Sequence, residues 1–86
     1  MKHTYVTKGT CSQQIEFELD DKIIHNVRFT GGCNGNLKAI SKLTEGQDAE
    51  HIISILKGNT CGPRKTSCAD QLAEALRLAL DEEQGA

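Results

Sequence analysis

The sequence has no tryptophan, one proline and three aromatic residues, Tyr5, Phe17 and Phe29. A chain so poor in rings must build its core from aliphatic side chains. That core is thin. The 86 residues fall below the roughly 100–200 usual for a domain and bury only about 60–65% of the surface that the unfolded chain exposes. One domain over residues 1–86 is expected, and a large self-contained enzyme with a deep apolar pocket is excluded. Such a core also calls for a staple: a metal ion, a disulfide or a second subunit, so the chain is expected to be a monomer or a dimer.

An excess of charge of one sign is lacking as well. Ten basic and twelve acidic residues leave a net charge of −2. No block of Lys and Arg is present, so nucleic-acid binding driven by phosphate neutralisation is not expected. No apolar run approaches the roughly 18 residues of a membrane span, and residues 1–5 lack the apolar stretch of a signal peptide. The expected location is the cytoplasm, where disulfides are rare. No Ser–His–Asp set, paired-carboxylate site or nucleotide-binding motif is visible, so the chain is not expected to be a catalyst itself. Against these absences stand four cysteines, Cys11, Cys33, Cys61 and Cys68.

Residues 4–8 read as a short strand rich in Thr, Tyr and Val. Ile15, Phe17 and Leu19 alternate with Glu16 and Glu18, as in a half-buried strand. Asp20, Asp21 and Lys22 make a turn, and Ile23, His25, Val27 and Phe29 resume the period of two. The two runs form a β-hairpin. Placing both apolar faces on one side of the sheet pairs Leu19 with Ile23, Phe17 with His25 and Ile15 with Val27. Cys11 then falls opposite Gly31, so the 21 residues between Cys11 and Cys33 fold back on themselves.

Helical signals follow. Leu37, Ile40 and Leu43 are the apolar positions of one helix, with Asn34 as N-cap and Gly46 as C-terminal glycine. Asp48 caps a second helix carrying Ile52, Ile53, Ile55 and Leu56, which Gly58 closes. Thr66 or Ser67 caps the last and clearest helix, and Ser67 with Asp70 outlines a capping box. Leu72, Leu76 and Leu80 form its ridge, beside Ala69, Ala73 and Ala79. The acidic residues Asp81, Glu82 and Glu83 oppose the dipole, so that end is expected to fray. The predicted fold is α+β: a small antiparallel sheet of about three strands, with a hairpin over 14–30 and an N-terminal strand, covered by about three helices.

Cys33 and Cys68 fall at helix starts, where unpaired N–H groups attract an anionic sulfur. Six residues separate Cys61 from Cys68. If the helix starts meet the open end of the hairpin, the sulfurs converge, and converging thiolates suit zinc or an iron–sulfur cluster. The chain has no CxxC pair, so the spacing does not match a zinc ribbon. Inert buried thiols and a structural or redox disulfide remain open alternatives. His25 reads as a satisfied core or edge histidine, His51 as solvated and His3 as an unordered terminal residue. Gly31, Gly32, Gly35 and Gly62 serve turns, or let backbone N–H groups approach sulfur. Lys38, Lys42, Arg64 and Lys65 read either as a positive rim near the cysteines or as solvated surface.

The stretch TSCADQLAEAL (66–76) resembles the TSCPD family, with Ala69 at the place of that family's proline, and RFTGGCNGNLKAISKLTEG (28–46) fits the same family. It comprises small stand-alone bacterial proteins and domains at the C-terminal end of vitamin B12-dependent ribonucleotide reductases. Metal binding through cysteines is ascribed to it. More distantly, the order Cys11, hairpin, TGGC, helix, KLTEGQDAEHI and GPRKTSCADQLAEALRLAL resembles the NifU-like iron–sulfur scaffold proteins. In those, three cysteines at the places of Cys11, Cys33 and Cys68 hold a [2Fe–2S] cluster or zinc. The chain departs from that pattern at Gln13, where the scaffolds carry an Asp linked to cluster release, and at Ser67, where they carry His. Only Pro63 and Lys65 remain of their chaperone-binding segment. Cys61 has no counterpart in those scaffolds; with Gln13 in place of the Asp, it is the expected fourth ligand. The resemblance further implies a metal-binding module for zinc or an iron–sulfur cluster, with ribonucleotide reductase or cluster-assembly proteins as partners. The alternative it implies is a reductase accessory using Cys61 and Cys68 as a thiol–disulfide pair.

Overall fold

The alternation of Ile15, Phe17 and Leu19 buries one face of a sheet so completely that each is at most 1% exposed. The computed structural model describes residues 2–7, 12–31, 34–59 and 67–85. These form strands β1 (Lys2–Val6), β2 (Ser12–Asp20) and β3 (Ile23–Gly31), followed by helices α1 (Asn34–Thr44), α2 (Ala49–Leu56) and α3 (Cys68–Gly85). The sheet is an antiparallel meander in the order β1-β2-β3. Helix α3 packs over β1 and β2, α2 packs on α3, and α1 lies along β3. The α+β fold expected from the sequence is the fold observed.

The hairpin register differs from the expected one. Asp21 and Lys22 both take positive φ, 52° and 71°, giving a two-residue turn whose twist matches the flanking strands. Leu19 therefore pairs with Ile24, not Ile23. This would turn the rest of β3 inside out, but Asn26 takes φ 55° and the pairing shifts between Glu16 and Glu18. The bulge inserts one residue and restores parity. Ile15 pairs with Phe29 and Ser12 with Gly31, and the core-facing residues of β3 are Ile24, Val27 and Phe29. His25 pairs with Glu18 on the outer face, and its Nδ1 lies 2.7 Å from Glu45 Oε2. It is a satisfied edge histidine, not a core one.

The ridge of α3 is buried as expected, with Leu72, Leu76 and Leu80 at most 1% exposed. Its far end is better held than its acidic sequence suggests. His3 Nε2 lies 2.5 Å from Glu83 Oε2, and its ring stacks on Phe17 at 5.5 Å. His3 is thus an ordered tether rather than a loose terminal residue. In α1, Leu37 is buried but Leu43 is 74% exposed. Steps of three residues each fall about 60° short of a full turn, which carries Leu43 about 120° from Leu37. Thr44 lies nearly in line with Leu37. It is buried, and its hydroxyl donates to Ile40 O at 2.8 Å.

The segment after α1 closes the edge of β3 near the hairpin turn. Gly46, at φ 75°, donates to Ile24 O at 2.7 Å, Ile24 N donates to Gln47 O at 2.9 Å, and Ala49 N donates to Lys22 O at 2.8 Å. Asp48 caps α2 by accepting from Glu50 N and His51 N at 2.9 and 3.2 Å. Asn34 is the first residue of α1 rather than the residue before it.

Two stability outcomes follow. Asp48→Ala removes the cap and lowers unfolding free energy by about 1 kcal/mol, readable from urea denaturation; no change in midpoint would show the cap to be idle. The Asn26 N–H and the His25 ring hold the Glu45 carboxyl below its usual 4.5. A depressed carboxyl adds stability above its unfolded value and loses it as pH falls through the folded one. Thermal melts taken below about pH 4.5 will therefore show a shallower acid decline in Glu45→Gln than in the native chain.

Candidate metal centre

The junction between α2 and α3 is fastened twice. Ser67 caps α3: its Oγ accepts from Asp70 N at 3.1 Å, and its carbonyl accepts from Gln71 N at 2.8 Å. The same hydroxyl donates to Asn59 O. The Asp70 carboxylate accepts from Gly58 N at 2.6 Å. The chain that leaves α2 at Asn59 and the chain that enters α3 at Ser67 are therefore bound to each other. The Ser67–Asp70 pattern signalled the cap, but nothing in the sequence singles out Asn59 or Gly58 as its neighbours.

Three contacts fix the direction of α3. Tyr5 of β1 packs against the core cluster, and burial, then the charges of Glu74 and Asp70 in the first turns of α3, raise its hydroxyl above the usual 10.0. His3 meets Glu83 near the other end. Arg77 of α3 lies 3.6 Å from Glu50 in the first turn of α2, while Asp70 bonds Gly58 just past its end. Helix α2 starts at the hairpin turn, where Ala49 N bonds Lys22 O. It runs away from that turn, and α3 returns antiparallel to it. Helix α1 begins three residues after Gly31 and ends where Gly46 reaches Ile24. Both α1 and α3 therefore start at the end of the sheet where Ser12 pairs with Gly31, opposite the hairpin turn.

Cys68 is the first residue of α3 and is half-buried. Cys11, Cys33 and Cys61 lie outside the described residues, as do Gly32, Gly62, Pro63, Arg64, Lys65 and Thr66. Their described neighbours are Ser12, Gly31, Asn34, Asn59 and Ser67, and all five lie at the same end of the sheet. His25 is held by Glu45 and His3 by Glu83. Among the described residues no group of three or more His, Cys, Asp or Glu side chains is arranged to hold a metal ion. Among them, too, no helix is long and apolar enough to cross a membrane.

No curated protein and no solved structure matches the chain. The family model of the TSCPD domain does, over residues 1–80. That span runs from the first strand through Leu80 of the α3 ridge and takes in every cysteine of the sequence. By that match, the chain belongs to the TSCPD domain family.

Proposed function

We propose that the chain is a metal-binding module in which Cys11, Cys33, Cys61 and Cys68 hold a zinc ion or an iron–sulfur cluster. One observation carries the reading: the described residues that flank all four cysteines share one end of the sheet. Ser12 is paired with Gly31, α1 begins at Asn34, and Asn59 is bonded to Ser67. Along the chain each cysteine is one or two residues from one of these anchors, and each residue spans at most about 3.8 Å. Four cysteines match the donor set of a closed tetrahedral zinc site or of a cluster. Such a ligand supplies structural cross-linking, or electron storage in the case of a cluster. The chain's own part is to present sulfur where two helix starts turn their N–H groups outward. Binding releases thiol protons and stabilises the folded state.

The bond between Ser67 and Asn59 also favours a second reading, in which Cys61 and Cys68 act as a dithiol. Their two thiols would become one disulfide while a disulfide of a partner protein takes up the two electrons and two protons to become two thiols.

Reduced protein purified without air distinguishes the two. The metal reading expects about one zinc per chain, or iron and sulfide with visible absorption. It also expects a melting temperature that falls on chelation, and loss of metal in Ser variants of each of the four cysteines. The dithiol reading expects a reversible disulfide lost only in Cys61→Ser and Cys68→Ser. Sub-stoichiometric metal, with all four thiols titrating in folded protein, would overturn the metal site.

A further inference from the structure

A groove of about 460 Å³ runs between β3 and α1. Its floor is apolar, made by Val27, Phe29 and Leu37. Arg28 from β3 and Lys38 and Lys42 from α1 stand on its rim, the two lysines one helical turn apart. All three cations are exposed, and among the described residues none takes part in an ion pair. A hollow of about 300 Å³ that shares Arg28, Ser41 and Lys42 continues the groove to Glu45.

The two carboxylates bordering this trough are engaged. Glu16 lies 3.8 Å from the Lys2 ammonium and accepts from Gln14 at 3.3 Å. Glu45 accepts from Asn26 N at 2.8 Å and meets the His25 ring at 2.7 Å. The uncompensated charge of the groove is therefore positive, on a chain whose net charge is −2.

The shape suits an extended chain. β3 is an edge strand. The segment after α1 bonds its edge from Lys22 only as far as Asn26. Residues 27–30 then border the groove, a length of roughly 13 Å that accommodates about four residues of an added strand.

We propose that this groove binds an extended acidic segment of a partner protein. The segment lies along β3 with its carboxylates toward Arg28, Lys38 and Lys42, and its alternate apolar side chains cover the floor. Its residues are separate from the four cysteines, so it stands or falls apart from the metal reading. A nucleic-acid strand fits less well, because its phosphates would outrun three local cations on a chain whose net charge is −2.

The test uses the full chain and an array of short degenerate peptides, carrying fixed Asp or Glu at alternate positions in one set and fixed Lys or Gln in the others. The acidic set is expected to bind selectively and more weakly as salt is raised. Lys38→Glu with Lys42→Glu is expected to weaken binding at least about tenfold, whereas Lys57→Glu, outside the groove, leaves it unchanged. Should the double reversal lower the melting temperature, amide shifts confined to residues 27–30 and 37–42 of the native chain on peptide addition decide in its favour. Three results would overturn the proposal. One is the absence of acidic selectivity, or shifts lying elsewhere. Another is equally tight binding of oligothymidylate. The third is a concentration-dependent dimer abolished by the same reversal, which would give the groove to a second copy.

Discussion

Burial of the Leu72, Leu76 and Leu80 ridge against a sheet with one apolar face is the constraint from which the other placements follow. The core contains one fully buried aromatic ring, Phe17, and otherwise aliphatic side chains. With so little apolar area available, the longest helix must lie along the strands to cover Ile15, Phe17 and Leu19 together. Its direction is set by what joins it. Helix α2 starts at the hairpin turn because Asp48 and its neighbours close the edge of β3 there. Helix α2 therefore ends at the other side of the molecule, and α3 can only begin where α2 stops.

The two ends of the molecule consequently differ in kind. At the hairpin turn, backbone bonds tie β3 to the start of α2, and Glu45 adds a side-chain clasp to Asn26 and His25. At the opposite end, two helices turn their starts outward, and the segments that carry the cysteines leave and return there. Oriented N–H groups gather partial positive charge at that end. The family match over residues 1–80 takes in both ends.

Much of this was legible in the residues. The alternation at Ile15, Phe17 and Leu19, the caps at Asp48 and Ser67, and the leucine ridge each gave the element that is present, because each rests on a local rule. What escaped were the non-local or irregular features. The bulge at Asn26 depends on a positive φ that composition does not announce, and the two-residue turn at Asp21 and Lys22 moved His25 from the inner to the outer face. Leu43 misled because spacing by three looks helical while its angle drifts off the buried stripe. His3 was read as loose because its partners, Phe17 and Glu83, are distant in sequence. For the cysteines, the fold-back of the hairpin was legible as topology. The register at its open end was one residue out, with Ser12 rather than Cys11 facing Gly31.

Helix α1 belongs to both halves of the functional reading. Its first residue follows Cys33, and its third turn supplies Ser41 and Lys42 to the groove beside β3. Its last turn is pinned inward by Thr44, and the following Gly46 bonds Ile24. With the exit of the helix held by the fold, the firmness of the groove wall depends on what holds the entry. On the proposed metal reading a ligand taken by Cys33 would restrain that entry, and linkage would make the effect reciprocal: whatever stiffens α1 from the groove side would favour the same ligand by the same free energy. Such a coupling would require no movement of the core, against which α1 rests through Ile40 beside the buried Leu37.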